Sequence, residues 1–142
     1  MFEITASDIA ALNDEDLRSL VALLCEAEMR LRGLPTSAVS WGGDQNAPDG
    51  GVDVRVDLLK KRKLEGFVPR STTGFQVKKS DMARKEIFRE MRPGGKVRPV
   101  IHSLIKQSGA YIIVSSNGSV SDSALRNRRE AMADAITNRS LI

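Results

Sequence analysis

Apolar and polar positions alternate along the chain with two different periods. From Asn13 to Leu34, in NDEDLRSLVALLCEAEMRLRGL, apolar residues return at Leu17, Leu20, Val21, Leu24 and Leu31, the repeat of about 3.6 residues that marks an amphipathic helix. Asn13 or Asp14 is placed to cap it, acids occupy its first turn, and Gly33 with Pro35 close it. Glu28 falls within the stripe, between Leu24 and Leu31. A carboxylate there either meets a cation or donor, or the helix end opens to water, and the pattern leaves both open.

Beyond this helix the period shortens. TSAVSW, residues 36–41, is a short predicted strand, and GGDQNAPDGG, residues 42–51, is a loop. From Val52 to Leu59 the valines Val52, Val54 and Val56 alternate with Asp53, Arg55 and Asp57, which predicts a strand. KKRKLEGFVPRSTT, with Gly66 and Pro69, reads as an excursion, and GFQVKK as the returning strand. Phe75 and Val77 then face one way, and Gln76 and Lys78 the other. SDMARKEIFREM and VRPVIHSLIKQSG predict helices separated by PGGK, the second burying Val97, Ile101, Leu104 and Ile105. AYIIVSS is a continuous apolar run that suits a central strand covered on both sides. A last helix from Ser121 or Asp122 to Asn138 turns Ala124, Leu125, Met132, Ala135 and Ile136 inward. The expected class is α/β, a central mixed sheet flanked by helices.

Composition narrows the picture. The chain has 142 residues, of which 41% are apolar and 28% charged, the size and balance of one compact domain spanning residues 1–142. Its end directly after a helix leaves the expectation that it is the amino-terminal piece of something longer. The net charge is +4, and Lys60, Lys61, Arg62 and Lys63, with Arg126, Arg128 and Arg129, concentrate the basic residues in a way that favours a polyanionic partner. A single cysteine, Cys25, and a single histidine, His102, exclude a disulfide framework and a zinc site and point to a reducing compartment. No run approaches the ~18 apolar residues of a membrane span, and the amino terminus carries acids where a secretory signal has basic residues. The expectation is a cytoplasmic protein with no membrane partner.

If the two predicted strands are antiparallel neighbours, the start of the first lies beside the end of the second. Asp53, Gln76 and Lys78 then share a height and a polar face, with Glu28 available from a helix packed nearby. Oxygen ligands without thiolate or imidazole select a hard cation, Mg²⁺ with Mn²⁺ as substitute. Asp53 is the expected anchor, the carbonyls of Gln76 and Val77 further ligands, and Lys78 the group that orients an attacking water or neutralises charge on a phosphodiester.

DGGVD followed after a hairpin by FQVKK resembles the PD-(D/E)XK nuclease superfamily, and within it the Mrr-like restriction endonucleases, where the second acidic position is often Gln. The order of predicted elements is similar to that superfamily's restriction-endonuclease-like αβββαβ core, from about Asp8 to Ile136. The resemblance implies Asp53 as the metal-binding Asp, Gln76 in the usual Glu position, Lys78 as the catalytic Lys and Glu28 as the first-helix acid. It also implies a DNA-cutting effector of a restriction or antiphage defence system, acting on double-stranded DNA, assembled as a homo-oligomer and joined to a sensor or nucleotide-hydrolysing module. Lys60, Lys61, Arg62, Lys63, Arg70 and Lys79 are the candidate phosphate contacts.

Gln76 departs from the acidic pattern and removes one anionic ligand. Two other readings therefore stand beside the nuclease. One is a catalytically inactive module that binds nucleic acid or mediates assembly. The other is an interaction domain in which Lys78 forms a structural ion pair with Asp53 or Glu28. Asp44 and Asp49 suit Asx-turns better than a second metal, His102 a hydrogen-bonded or solvated role, and Trp41 a packing role. The glycine-rich loop lacks the spacing and the Lys of a P-loop.

Overall fold

The computed structural model describes residues 2–42 and 52–137. Helix α1 (Ala6–Ala10) begins at a capping box: the Thr5 hydroxyl accepts from the Asp8 N–H, and the Asp8 carboxylate accepts from the Thr5 N–H. Helix α2 (Asp14–Leu31) is capped by Asn13, whose side chain accepts the Asp16 N–H at 2.8 Å. Gly33, in the left-handed region at φ +67°, turns the chain out of it. Then follow β1 (Val39–Trp41), β2 (Val54–Asp57), β3 (Thr72–Lys78), α3 (Arg84–Met91), α4 (Pro99–Lys106), β4 (Ala110–Ser115) and α5 (Asp122–Thr137). The stretch predicted as strand from Thr36 starts with a 3₁₀ turn, Thr36–Ala38.

The four strands form one mixed sheet in the order β1-β2-β3-β4. β1/β2 and β2/β3 are antiparallel, while β3/β4 is parallel, the two helices α3 and α4 making the crossover that a parallel pair needs. Strand alternation gives the sheet two different faces. Val54, Val56, Phe75 and Val77 pack with Leu17, Val21, Ala22, Cys25 and Met29 of α2. On the other side, α3, α4 and α5 contribute Ile87, Met91, Val100, Ile101, Leu104, Ala131 and Ala135, packed with Tyr111 and Ile113 of β4. The result is three layers, helix, sheet and helices.

Several expected positions differ. β4 is covered on both faces, yet it lies at the end of the strand order and is half-buried throughout, whereas β3 is the most deeply buried strand. Its apolar run follows from helices above and below, not from a central place. In α2 the buried ladder runs through Cys25 and Met29, leaving Leu24 and Leu31 exposed. Ile105, Leu125 and Ile136, expected inward, are likewise exposed at 40% or more, because α4 and α5 meet the core on narrower faces. β2 is shorter than predicted. Val52 leaves the ladder to sit over Gly74, where an added methyl would lie 2.8 Å from a Val52 γ-carbon and 3.2 Å from a Leu104 δ-carbon.

Candidate active site

The hairpin register places the polar residues. Val54 pairs with Phe75, and one step outward the Asp53 N–H donates to the Phe75 carbonyl at 2.8 Å, so Asp53 stands opposite Gln76. The Asp53 carboxylate then accepts the Val77 N–H through Oδ2 at 2.8 Å. This bond spans 24 residues of sequence and fixes the carboxylate against the end of β3. On a strand, the N–H and C=O of one residue point to the same neighbour, so the Val77 carbonyl lies on the Asp53 side.

Gln76, between the buried Phe75 and Val77, points to the opposite sheet face from α2. It is 5% exposed, and its Oε1 is buried without a hydrogen-bond partner among the described residues. Leaving such an acceptor unsatisfied costs about 1–3 kcal/mol, a cost for which packing alone offers no return. Lys78, two residues on and on the same face, meets Glu90 of α3 at 3.5 Å. The second Glu90 oxygen is 3.4 Å from Arg98, whose Nε donates to the Glu90 main-chain carbonyl. One acid is thus shared between two cations.

Tyr111 completes the group. It pairs with Gly74 across the parallel ladder, and its hydroxyl is buried without a partner among the described residues. Burial pushes its phenol well above the usual range; the negative charge of Glu90, and to a lesser degree Asp53, adds to the shift, while Arg98 opposes it. Tyr111 is therefore a neutral O–H donor within electrostatic reach of all three charges.

Glu90, Arg98 and Tyr111 were not among the residues expected from sequence. For Tyr111 a signal existed: in AYIIVSS, residues 111, 113 and 115 alternate onto one face, which the parallel pairing makes the face of Gln76 and Lys78. Glu90 lies between the buried Ile87 and Met91, but only the crossover path shows which part of the sheet it covers.

Other expected residues lie elsewhere. Glu28 does not join Asp53. It pairs with Arg32 at 3.0 Å and abuts Gly66 in the excursion between β2 and β3, near the carboxyl end of α2. The amino end of α2 is what reaches the end of β3, where Asp14 accepts the Lys79 N–H at 2.7 Å. Helix and strand run in opposite directions, so Glu28 sits at the far end and beside the apolar face. Lys78 likewise pairs with neither Asp53 nor Glu28 but with Glu90. Lys60, Lys61, Arg62, Lys63 and Arg70 belong to the same excursion, held by the Lys63/Arg70 bridge. At about 3.3 Å per residue, β2 alone separates them from Asp53 by roughly 13 Å. Of the candidate phosphate contacts, Lys79 alone is at the Asp53 end of the hairpin.

His102 is exposed on α4, and Trp41, 44% exposed, pairs with Val54 at the end of β1. Asp44 and Asp49 lie outside the described residues. No helix among the described residues is long and apolar enough to cross a membrane.

A hard cation fits the donor set by its chemistry. The Asp53 carboxylate, the orphaned Gln76 Oε1 and the Val77 carbonyl are all oxygens, and the unpaired buried amide acceptor is what a cation would satisfy. Among the described residues no three Asp, Glu, His or Cys side chains are grouped as a metal centre, so the set suits an ion that keeps much of its water, as Mg²⁺ does. Comparison with protein-family models, curated proteins and solved structures finds no match to the chain.

Proposed function

We propose that the chain is a Mg²⁺-dependent DNA endonuclease domain of restriction-endonuclease-like architecture, with Asp53, Gln76 and Lys78 at its centre. The observation that carries this reading is the hairpin end, where Asp53, its carboxylate pinned by the Val77 N–H, stands opposite Gln76, whose buried amide oxygen has no partner among the described residues. A four-stranded sheet in which the β3/β4 pair alone is parallel, with helices on both faces, supports the architecture.

Bound Mg²⁺ would polarise the phosphodiester and lower the pKa of a coordinated water. Asp53 and Gln76, with the Val77 carbonyl, would hold the ion. Lys78 supplies a positive charge beside the scissile phosphate, and Glu90 restrains that ammonium while Arg98 fixes Glu90. Tyr111 presents a neutral hydroxyl to the same side. By the resemblance, the substrate is double-stranded DNA and the setting is restriction or antiphage defence, with a homo-oligomer and a sensor or nucleotide-hydrolysing module as partners.

A catalytically inactive nucleic-acid-binding or assembly module is the second reading, favoured by Gln76 in place of an acid and by the lack of a third grouped acid among the described residues. Incubation with plasmid DNA and Mg²⁺ or Mn²⁺ separates the two. The nuclease reading expects cleavage that Asp53→Ala and Lys78→Ala abolish. Salt-sensitive DNA binding without cleavage under either cation supports the module.

A further inference from the structure

The turn between α3 and α4 borders a recess of about 650 Å³ that shares no lining residue with the hairpin end. Arg92 and Lys96 of the turn and His102 of α4 line it, Val97 and Ile136 give it apolar walls, and none of its lining residues is acidic. Its size is that of a small-molecule site. Arg92 is fixed in place before any ligand arrives. Its two terminal nitrogens donate to the Ala135 carbonyl at 2.7 Å and the Gly95 carbonyl at 2.8 Å, and its Nε is buried without a partner among the described residues. The turn that carries it is closed by the Gly95 N–H on the Arg92 carbonyl at 2.9 Å and the Arg98 N–H on the Met91 carbonyl at 3.0 Å. Gly94 and Gly95, at φ +67° and +84°, adopt the left-handed backbone this closure needs.

We propose that this recess binds a small organic phosphate monoester. Among the described residues no carboxylate lies within ion-pair distance of Arg92 or Lys96, so the half-buried guanidinium meets only carbonyl dipoles and keeps donors to spare. An anion supplies the missing counter-charge through charge-assisted hydrogen bonds. Two permanent cations match a phosphate monoester, which carries about −1.5 to −2 charge at neutral pH, better than they match a monoanion. His102 adds a ring N–H, and Val97 and Ile136 receive the carbon skeleton, which favours an ester over free phosphate.

Amide chemical-shift titration of the isotopically labelled 142-residue chain with phenyl phosphate tests this. Saturable shifts centred on Gly95, Lys96 and Val97 are expected, with inorganic phosphate at least several-fold weaker and phenol without effect. Lys96→Glu should weaken phenyl phosphate by about tenfold or more with the melting transition retained, since Lys96 is exposed, and His102→Ala should weaken it several-fold. Lys60→Glu, the same charge change in the excursion between β2 and β3, should leave the affinity unchanged. No saturable shift at the recess, an equal loss in Lys60→Glu, or inorganic phosphate bound as tightly as phenyl phosphate, the mark of an adventitious ion only, overturns the proposal. So does a 5′-phosphorylated duplex that displaces phenyl phosphate at lower concentration, because the recess is then a nucleic-acid contact.

Discussion

The two faces of the sheet are built on opposite principles. Toward α2, the inward side chains of β2 and β3 are apolar except Thr73, whose hydroxyl donates to the Arg70 carbonyl at 2.8 Å, and Val54, Val56, Phe75 and Val77 are at most 2% exposed. Toward α3 and α4, the same two strands and β4 present Asp53, Gln76, Lys78 and Tyr111, with Glu90 and Arg98 closing over them. Among the described residues, the first face leaves no buried side-chain nitrogen or oxygen without a partner. The second leaves the Gln76 Oε1 and the Tyr111 hydroxyl without partners among the described residues. Two unsatisfied polar atoms buried in adjacent strands cost stability, and this contrast between the faces is what the proposed site rests on.

The contrast breaks most severely on the apolar face. Phe75→Ala removes a fully buried ring stacked at 5.3 Å on Phe67, and should lower unfolding free energy by about 3–5 kcal/mol in urea titration. Gly74→Ala acts on the α4 side of the sheet. Its methyl would press on Val52, which precedes Asp53, so a loss of about 1–3 kcal/mol should be accompanied by reduced cleavage although no polar group has changed.

Gln76→Met sharpens the contrast in the other direction. It replaces an orphaned amide by an apolar group of similar length, so stability should stay level or rise by up to about 1–2 kcal/mol, while metal binding and cleavage fall. A clear loss of stability would mean that Gln76 has a structural partner after all.

The smallest effect concerns Cys25, and its pH dependence is confined to alkaline pH. Burial, reinforced by the nearby Glu28 and Glu26, raises its thiol from 9.0 to about 12. The folded state therefore keeps its proton where the unfolded chain has lost it. The stabilisation is complete below pH 9 and is withdrawn between about pH 9 and 12. Melting temperature measured across that range should fall more steeply for the wild type than for Cys25→Ala.

What the sequence made legible followed from period two. Val52 to Asp57 and Gly74 to Lys78 alternate cleanly, and that alternation places Asp53 and Gln76 opposite each other once the strands pair. Helix α2 was legible as a helix but not in its orientation, because leucines occupy two stripes and the buried one contains Cys25 and Met29. Glu28 was misplaced for the same reason, and also because the direction of α2 along β3 is set by contacts such as Asp14 to Lys79, 65 residues apart. Glu90 and Arg98 depend on the route of the crossover over the sheet, which no local pattern encodes. The basic run was assigned to the site by its proximity in sequence to Asp53, but a strand carries it to the other end of the hairpin.

The central claim is that the polar end of the hairpin holds a divalent cation through Asp53. Anomalous scattering from crystals soaked in Mn²⁺ tests it most directly. The account predicts a peak bounded by the Asp53 carboxylate, the Gln76 Oε1 and the Val77 carbonyl, absent in Asp53→Ala. A peak elsewhere on the chain, or none at this position with Mn²⁺ in excess, would contradict it.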